Sequence, residues 1–178
     1  MRKLMLLLAP FALMLCALQP ARAQERAGSP HEKVSGTVGG ATITVEYGRP
    51  YMKGRKIFGE LVPYGKVWRT GADAASTFTT TKDLMLGSLH VPAGTYALFT
   101  VPGESEWTII LNKVAKTFGA FDYEKNKAQD LGQVKAPVAK LSSPLEQLTI
   151  SIESKGGQNG ALKIAWENTS VSVPLMVH

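Results

Sequence analysis

The chain has 178 residues, 20 Lys and Arg against 14 Asp and Glu, and one cysteine, Cys16. One thiol excludes an internal disulfide framework and a cysteine-ligated metal site. The formal charge of +6 comes without a basic helix or an arginine run, so the composition gives no footprint for nucleic acid.

Residues 1–23 read as an export signal: Arg2 and Lys3, an apolar run from Leu4 to Leu18, then Ala21-Arg22-Ala23 as a small-x-small processing site. The run is short for a bilayer span and is interrupted by Pro10, so no membrane insertion is expected once it is removed. Leu15, ahead of Cys16, departs from the small residue that a lipid-attachment site wants. Cleavage near Ala23 would release 155 residues without cysteine into the periplasm or the medium, enough for one domain with a core. It would also remove Arg2, Lys3 and Arg22, leaving a net charge of only +3.

Residues 24–32 read as a flexible leader and residues 33–178 as a single domain. Val34 to Val38 and ATITVEY (41–47) alternate apolar and polar residues around Gly39-Gly40, the pattern of a tight hairpin. The stretch from Glu46 to Asp73 follows, and its seven glycines and prolines forbid a long helix or a continuous strand. It is expected to be a long ordered connection with one helical turn near Lys56 to Leu61. Connections of this length are uncommon in compact domains unless they have a function or a packing task.

Strand signals then crowd together at Ser76–Thr81, Leu84–Val91, Thr95–Val101 and Trp107–Asn112. Phe121 to Leu131 is the one plausible helix, stopped by Gly132. Gln133 to Lys140 is expected at a sheet edge, because Pro137 has no N–H for a central ladder. Gln147–Ile152, Ala161–Trp166 and Ser170–Val177 complete the set, the first two joined by SKGGQNG (154–160), a hairpin loop by composition. Nine or ten short strands with tight turns predict a mainly antiparallel all-β fold. A two-sheet β-sandwich or jelly roll, with one short peripheral helix, is the economical arrangement.

The common hydrolase, zincin and nucleotide-loop signatures are absent, and His31, His90 and His178 lack the close spacing of a metal site. No metal and no cofactor is expected. His90 reads as an ordinary surface histidine, and Trp107 and Trp166 as core or rim aromatics.

The 46–73 stretch concentrates the chemistry. It holds Arg49, Lys53, Arg55, Lys56, Lys66 and Arg69 against Glu46, Glu60 and Asp73, which accounts for all the net charge of the processed chain. Five of its 13 aromatics lie there too: Tyr47, Tyr51, Phe58, Tyr64 and Trp68. Arg49, Lys53, Arg55 and Arg69 can offer donors to a carboxylate, phosphate or sulfate, with Tyr51, Tyr64 and Trp68 as flat walls and Asp73 at the rim. The plainer reading makes the cations a solvated surface and Trp68 and Phe58 plugs under a loop. Glu46 and Asp73 bracket the connection, and pairing each with Arg49 or Arg69 is the simplest expectation for them.

Two blocks, YGRPYMKGRKIFGELVPYGKVWRTGAD and LHVPAGTYALFTVPGESEWTIILNK, resemble the bacterial family catalogued as domain of unknown function 2911. The resemblance runs from Ser29-Pro30-His31 to the last strand. It implies an exported, predominantly β protein and no established activity. Members often have Ser where this chain has Gly48 and Asn where it has Asp73, so a carboxylate at that position is not obligatory for the family.

Three functions therefore stand open. The first is an exported binding module for a small anionic or carbohydrate ligand at the cell envelope. The second is a hydrolase- or lyase-type enzyme using Tyr64, Glu46 or Asp73 beside an arginine. The third is a structural domain in which the arginines staple a loop by bonding backbone carbonyls.

Overall fold

The computed structural model describes residues 28–178, so the expected export signal and the start of the leader lie outside the described residues. Nine antiparallel strands form one hydrogen-bonded sheet: β1 (His31–Val38), β2 (Ala41–Gly48), β3 (Ala72–Thr80), β4 (Leu84–Leu86), β5 (Leu89–Val91), β6 (Gly94–Val101), β7 (Glu106–Asn112), β8 (Asp130–Ser154) and β9 (Asn159–Val177). Their order across the sheet is β1-β2-β3-β6-β7-β8-β9-β4-β5. The all-β expectation holds, with every strand pair joined in one continuous ladder.

The alternation that marks β2 in the sequence is the alternation of burial. Ala41, Ile43, Val45 and Tyr47 are buried while Thr42, Thr44 and Glu46 face outward. The turn before it has Gly39 at φ +54° and Gly40 at φ +73°, the two left-handed positions of a type I′ hairpin. The main core gathers Ile43, Phe78, Leu98, Leu111, Leu148, Ile164 and Leu175, one or more side chains from each of six strands. β1 lies against β8, where Gly36 leaves room for Ile152; an added Cβ would come 2.7 Å from its Cγ2.

Three expectations are corrected. The segment at Pro137 is no edge strand: β8 runs unbroken for 25 residues, pairing with β7 up to Pro137 and with β9 from Val138 onward. The missing N–H of Pro137 falls at the hand-over between partners, and Val138 N donates across to the Ser105 carbonyl at 2.9 Å. The strands expected at 147–152, 161–166 and 170–177 are parts of β8 and β9, kept in register by shifts around Leu145, opposite Glu167. Leu84–Val91 is a hairpin rather than one strand, folding back at Gly87, whose φ is +56°.

The helix also moves. α1 spans Gly119–Asn126, followed by a 3-10 turn over Lys127–Gln129, and it covers the outer face of β6 and β7 through Tyr123, Phe99 and Ile110. Asn112, fully buried, donates to the Asn126 carbonyl and to Asp130 Oδ1, both at 2.8 Å, and Tyr123 donates to Asp130 Oδ2 at 2.7 Å. These bonds fasten the C-terminal half of the helix to the sheet.

Candidate functional site

Residues 49–71 link β2 to β3, and they dock on two other strands on the way. At the start the chain docks on β8: Met52 N donates to the Glu146 carbonyl at 2.7 Å and Leu148 N donates to the Pro50 carbonyl at 3.0 Å. At the end it docks on β6, where Trp68 and Thr100 exchange backbone hydrogen bonds of 2.7 and 2.9 Å. Between the docks lie turns and no helix. Gly59 sits at φ +88°, which ends the turn expected at Lys56–Leu61, and Gly59 N donates to the Val62 carbonyl at 2.9 Å.

The three arginines divide into two kinds. Arg49 Nε donates to the Leu148 carbonyl at 2.9 Å, its Nη2 donates to Thr149 Oγ1 at 3.1 Å, and its Nη1 lies 3.5 Å from Glu32. Arg55 folds onto its own loop: Nε donates to the Met52 carbonyl at 2.8 Å and Nη2 to the Tyr51 carbonyl at 2.7 Å. Arg69 is half-buried, and among the described residues no hydrogen bond or ion pair holds its guanidinium. Arg55 likewise has no carboxylate partner among them, so two positive charges remain uncompensated.

Both residues line one cleft of about 300 Å³, together with Pro50, Leu61, Val62, Trp68 and Trp166 and with no acidic side chain in its wall; Arg69 Nη1 itself lies against Gly119, 3.1 Å from where a Cβ there would stand. A neighbouring cleft of about 590 Å³ shares Pro50 and Arg55 and adds Tyr51, Lys53 and Asp73. Six of the eight expected site residues therefore line adjoining concave surface. Arg49 is given to protein acceptors. Tyr64 stands apart from both clefts, with its ring edge over Gly59.

The floor is aromatic. Trp68 stacks on Trp166 with ring centroids 6.1 Å apart and planes 16° from parallel, and Phe58 meets Trp68, Trp107 and Trp166 edge-on at 4.8 to 6.3 Å. Trp107 and Trp166 are buried, as expected for core aromatics, yet Trp166 also reaches the cleft wall. Trp68 is both plug and wall.

The carboxylates take other partners than the expected arginines. Glu46 pairs with Lys33 at 2.9 Å across β1 and β2, and Asp73 lies 3.6 Å from His31 Nε2. Asp73 has φ +63°, a left-handed conformation that Asp and Asn enter more readily than other side chains. Asn at this position would meet the same conformational demand, independent of charge. Gly48 lies opposite, where an added Cβ would overlap the Ala72 carbonyl oxygen; in this chain the path of residues 71–73 is fitted to glycine.

Two residues the sequence reading passed over secure the connection. Glu167 Oε1 and Oε2 accept the backbone N–H groups of Ile57 and Phe58, each at 3.3 Å, and Glu146 Oε1 accepts that of Lys53 at 2.8 Å. Glu167 has φ +55° at the irregularity where β8 and β9 lose register. The signal for it is the polar pair Glu167-Asn168, which interrupts the apolar alternation of β9. Nothing in that pair names residues 57 and 58 as its partners.

Tyr47 is the titratable group with the deepest structural role here. Its phenol oxygen accepts the Ile150 N–H at 3.1 Å, and burial pushes its pKa up despite that bond and the neighbouring Arg49 charge. Among the described residues no group of three or more His, Cys, Asp and Glu is placed to hold a metal ion.

Searches of curated proteins and of solved structures returned no match. The family described as protein of unknown function (DUF2911) matches residues 29–175, which reaches all nine strands and all but one of the residues lining the two clefts, and the chain belongs to that family.

Proposed function

We propose that this is an exported binding module, processed near Ala23, whose cleft at Arg55, Trp68 and Arg69 takes a small ligand carrying a carboxylate, phosphate or sulfate beside a flat or sugar-like face. The observation that carries the reading is Arg69: half-buried, without a protein anion among the described residues, and lining with Arg55 a cleft whose wall has no carboxylate. A half-buried arginine without a counter-charge gains from an anion that neutralises it, and a planar guanidinium matches such an oxyanion with two parallel donors. The two backbone carbonyls that hold Arg55 fix its plane in advance, which lowers the ordering cost of binding. The Trp68 ring, backed by Trp166, supplies the apolar surface against which a sugar or planar ring would lie.

The catalytic alternative has less support. Acid–base work asks for a carboxylate or phenol withdrawn from water beside its partner, and Asp73, His31 and Tyr64 are all exposed. The staple reading fits Arg49 and the carbonyl bonds of Arg55, and it does not account for Arg69.

The test is a thermal-shift screen of the processed protein with glucuronate, inorganic phosphate, sulfate and muramic-acid-containing peptidoglycan fragments. A ligand that binds only the folded state adds about 2.7 kcal/mol at a hundred times its Kd, so a true ligand raises the Tm with concentration. Arg69→Ala should stay folded and lose the response. If no probe shifts wild type, or Arg69→Ala responds as wild type does, the proposal fails.

A further inference from the structure

α1 carries two phenylalanines that its packing does not use. Tyr123 fastens the helix, with its ring 4.9 Å from that of Phe99 and its hydroxyl donating to Asp130. Phe118 and Phe121 instead stand 70% and 78% exposed, the two most exposed large hydrophobic side chains among the described residues. A ring in water at this exposure is a loss the fold has no internal reason to accept.

The surroundings of the two rings are basic. Lys113, Lys116, Lys125 and Lys127 are all exposed, and Lys125 Nζ sits 4.6 Å from the Phe121 ring centroid. The same segment has two acidic residues, Asp122 and Glu124. Asp122 is taken up locally: Oδ2 accepts the Phe118 N–H at 2.9 Å and Oδ1 lies 3.6 Å from Lys125 Nζ. Four exposed lysines therefore share a segment with two protruding aromatics, Lys125 standing over the Phe121 ring, and Glu124 is the one acidic side chain of that segment left unengaged.

We propose that the α1 tip docks the protein on an anionic phospholipid surface, with Phe118 and Phe121 entering at headgroup level and the lysines meeting the phosphates. Charge complementarity argues for this occupant, because aromatic side chains flanked by Lys are the chemistry of an interfacial anchor. Shape argues for it too: rings standing this far out of the surface suit a soft bilayer, whereas a folded partner would need a matching pocket. The contact is peripheral, since no described helix is long and apolar enough to cross a membrane. It rests on none of the residues of the Arg69 cleft.

Vesicle co-sedimentation tests it, using the chain from Gln24, which contains every strand of the sheet. The wild type should pellet with mixed phosphatidylglycerol–phosphatidylcholine vesicles and stay in solution with phosphatidylcholine alone. High salt should weaken the association, since the lysine contribution is screened. Phe118→Ser with Phe121→Ser should lower the bound fraction about tenfold, from the lost burial of two rings, with an unchanged Tm because neither ring is packed. Should that variant not fold, Lys116→Glu with Lys127→Glu provides the same readout. Absence of the wild type from the anionic pellet, or pelleting of a folded variant at the wild-type level, overturns the proposal.

Discussion

Arg49 Nε donates to the carbonyl oxygen of Leu148 at 2.9 Å, joining two residues 99 positions apart. The same fork reaches Thr149 and Glu32, so one side chain ties the start of the connection to β8 and to β1. Arg69, of equal standing in the sequence, ties nothing among the described residues. Two arginines of one stretch thus have opposite relations to the fold: one completes it and the other faces a cleft.

The two should separate in a denaturation experiment. Arg49→Ala removes charge-assisted hydrogen bonds and strands the buried Leu148 carbonyl, a loss of about 2–3 kcal/mol. In a domain of this size that lowers the Tm by about 4–12 °C. Arg69→Ala should stay within about 0.5 kcal/mol of wild type, as expected for a side chain without partners. Arg49→Lys should recover only part of the loss, because an ammonium cannot reproduce the fork. Urea unfolding of the three variants decides the matter.

Glu167 joins strain to a useful contact. Its φ of +55° is unfavourable for a side chain with a Cβ, yet its carboxylate accepts the N–H groups of Ile57 and Phe58. Glu167→Ala keeps the strain and loses both bonds; Glu167→Gly loses the bonds and relieves the strain. The glycine variant should therefore be the more stable of the two by about 1 kcal/mol, with both below wild type. Equal stability of the two variants would show that the left-handed backbone stores nothing.

Alkaline pH should weaken the fold through buried phenols. Burial, and then the hydrogen bond to Asp130, push the Tyr123 pKa far above its ordinary 10.0, and burial raises Tyr47 and Tyr96 as well. Below pH 10 the phenols are protonated in both states and the native contacts contribute fully. Above it the unfolded chain releases its protons first, so stability falls as the pH climbs towards the folded values. Tyr123→Phe should lose about 1 kcal/mol at neutral pH and show a shallower decline above pH 10. Unfolding curves taken along an alkaline pH series provide the readout.

The corner where β2 meets β3 should discriminate conformation from charge. Asp73→Asn preserves a side chain suited to φ +63° and should leave the Tm within about 1 °C, whereas Asp73→Ala should lose about 1 kcal/mol. Gly48→Ser places a Cβ on the Ala72 carbonyl oxygen and should be worse than either, by about 2 kcal/mol of overpacking or more. A differential-scanning series of these variants gives the order directly.

The sequence alone determined much of the strand content: a half-buried strand must alternate apolar and polar residues, as β2 does, and β6 and β7 are short apolar runs bounded by turn residues. It also located the chemistry: the glycines, aromatics and cations of residues 46–73 form a signature readable without coordinates, and the Gly39-Gly40 hairpin follows from the two left-handed backbones it requires. Other features were hidden because their causes are distant. β8 reads as two strands since Pro137 falls where the pairing partner changes and Pro144 falls in a shift of register with β9, and only the partners show that the strand continues. Which arginine staples and which stays free depends on backbone carbonyls nearly a hundred residues away, and a carbonyl has no side-chain identity for a sequence to display. Glu167 is equally mute, since its partners are two N–H groups in a turn it never neighbours along the chain. Local pattern fixes what a segment can become, whereas tertiary structure alone assigns its hydrogen-bond partners, and that assignment set Arg69 apart from Arg49.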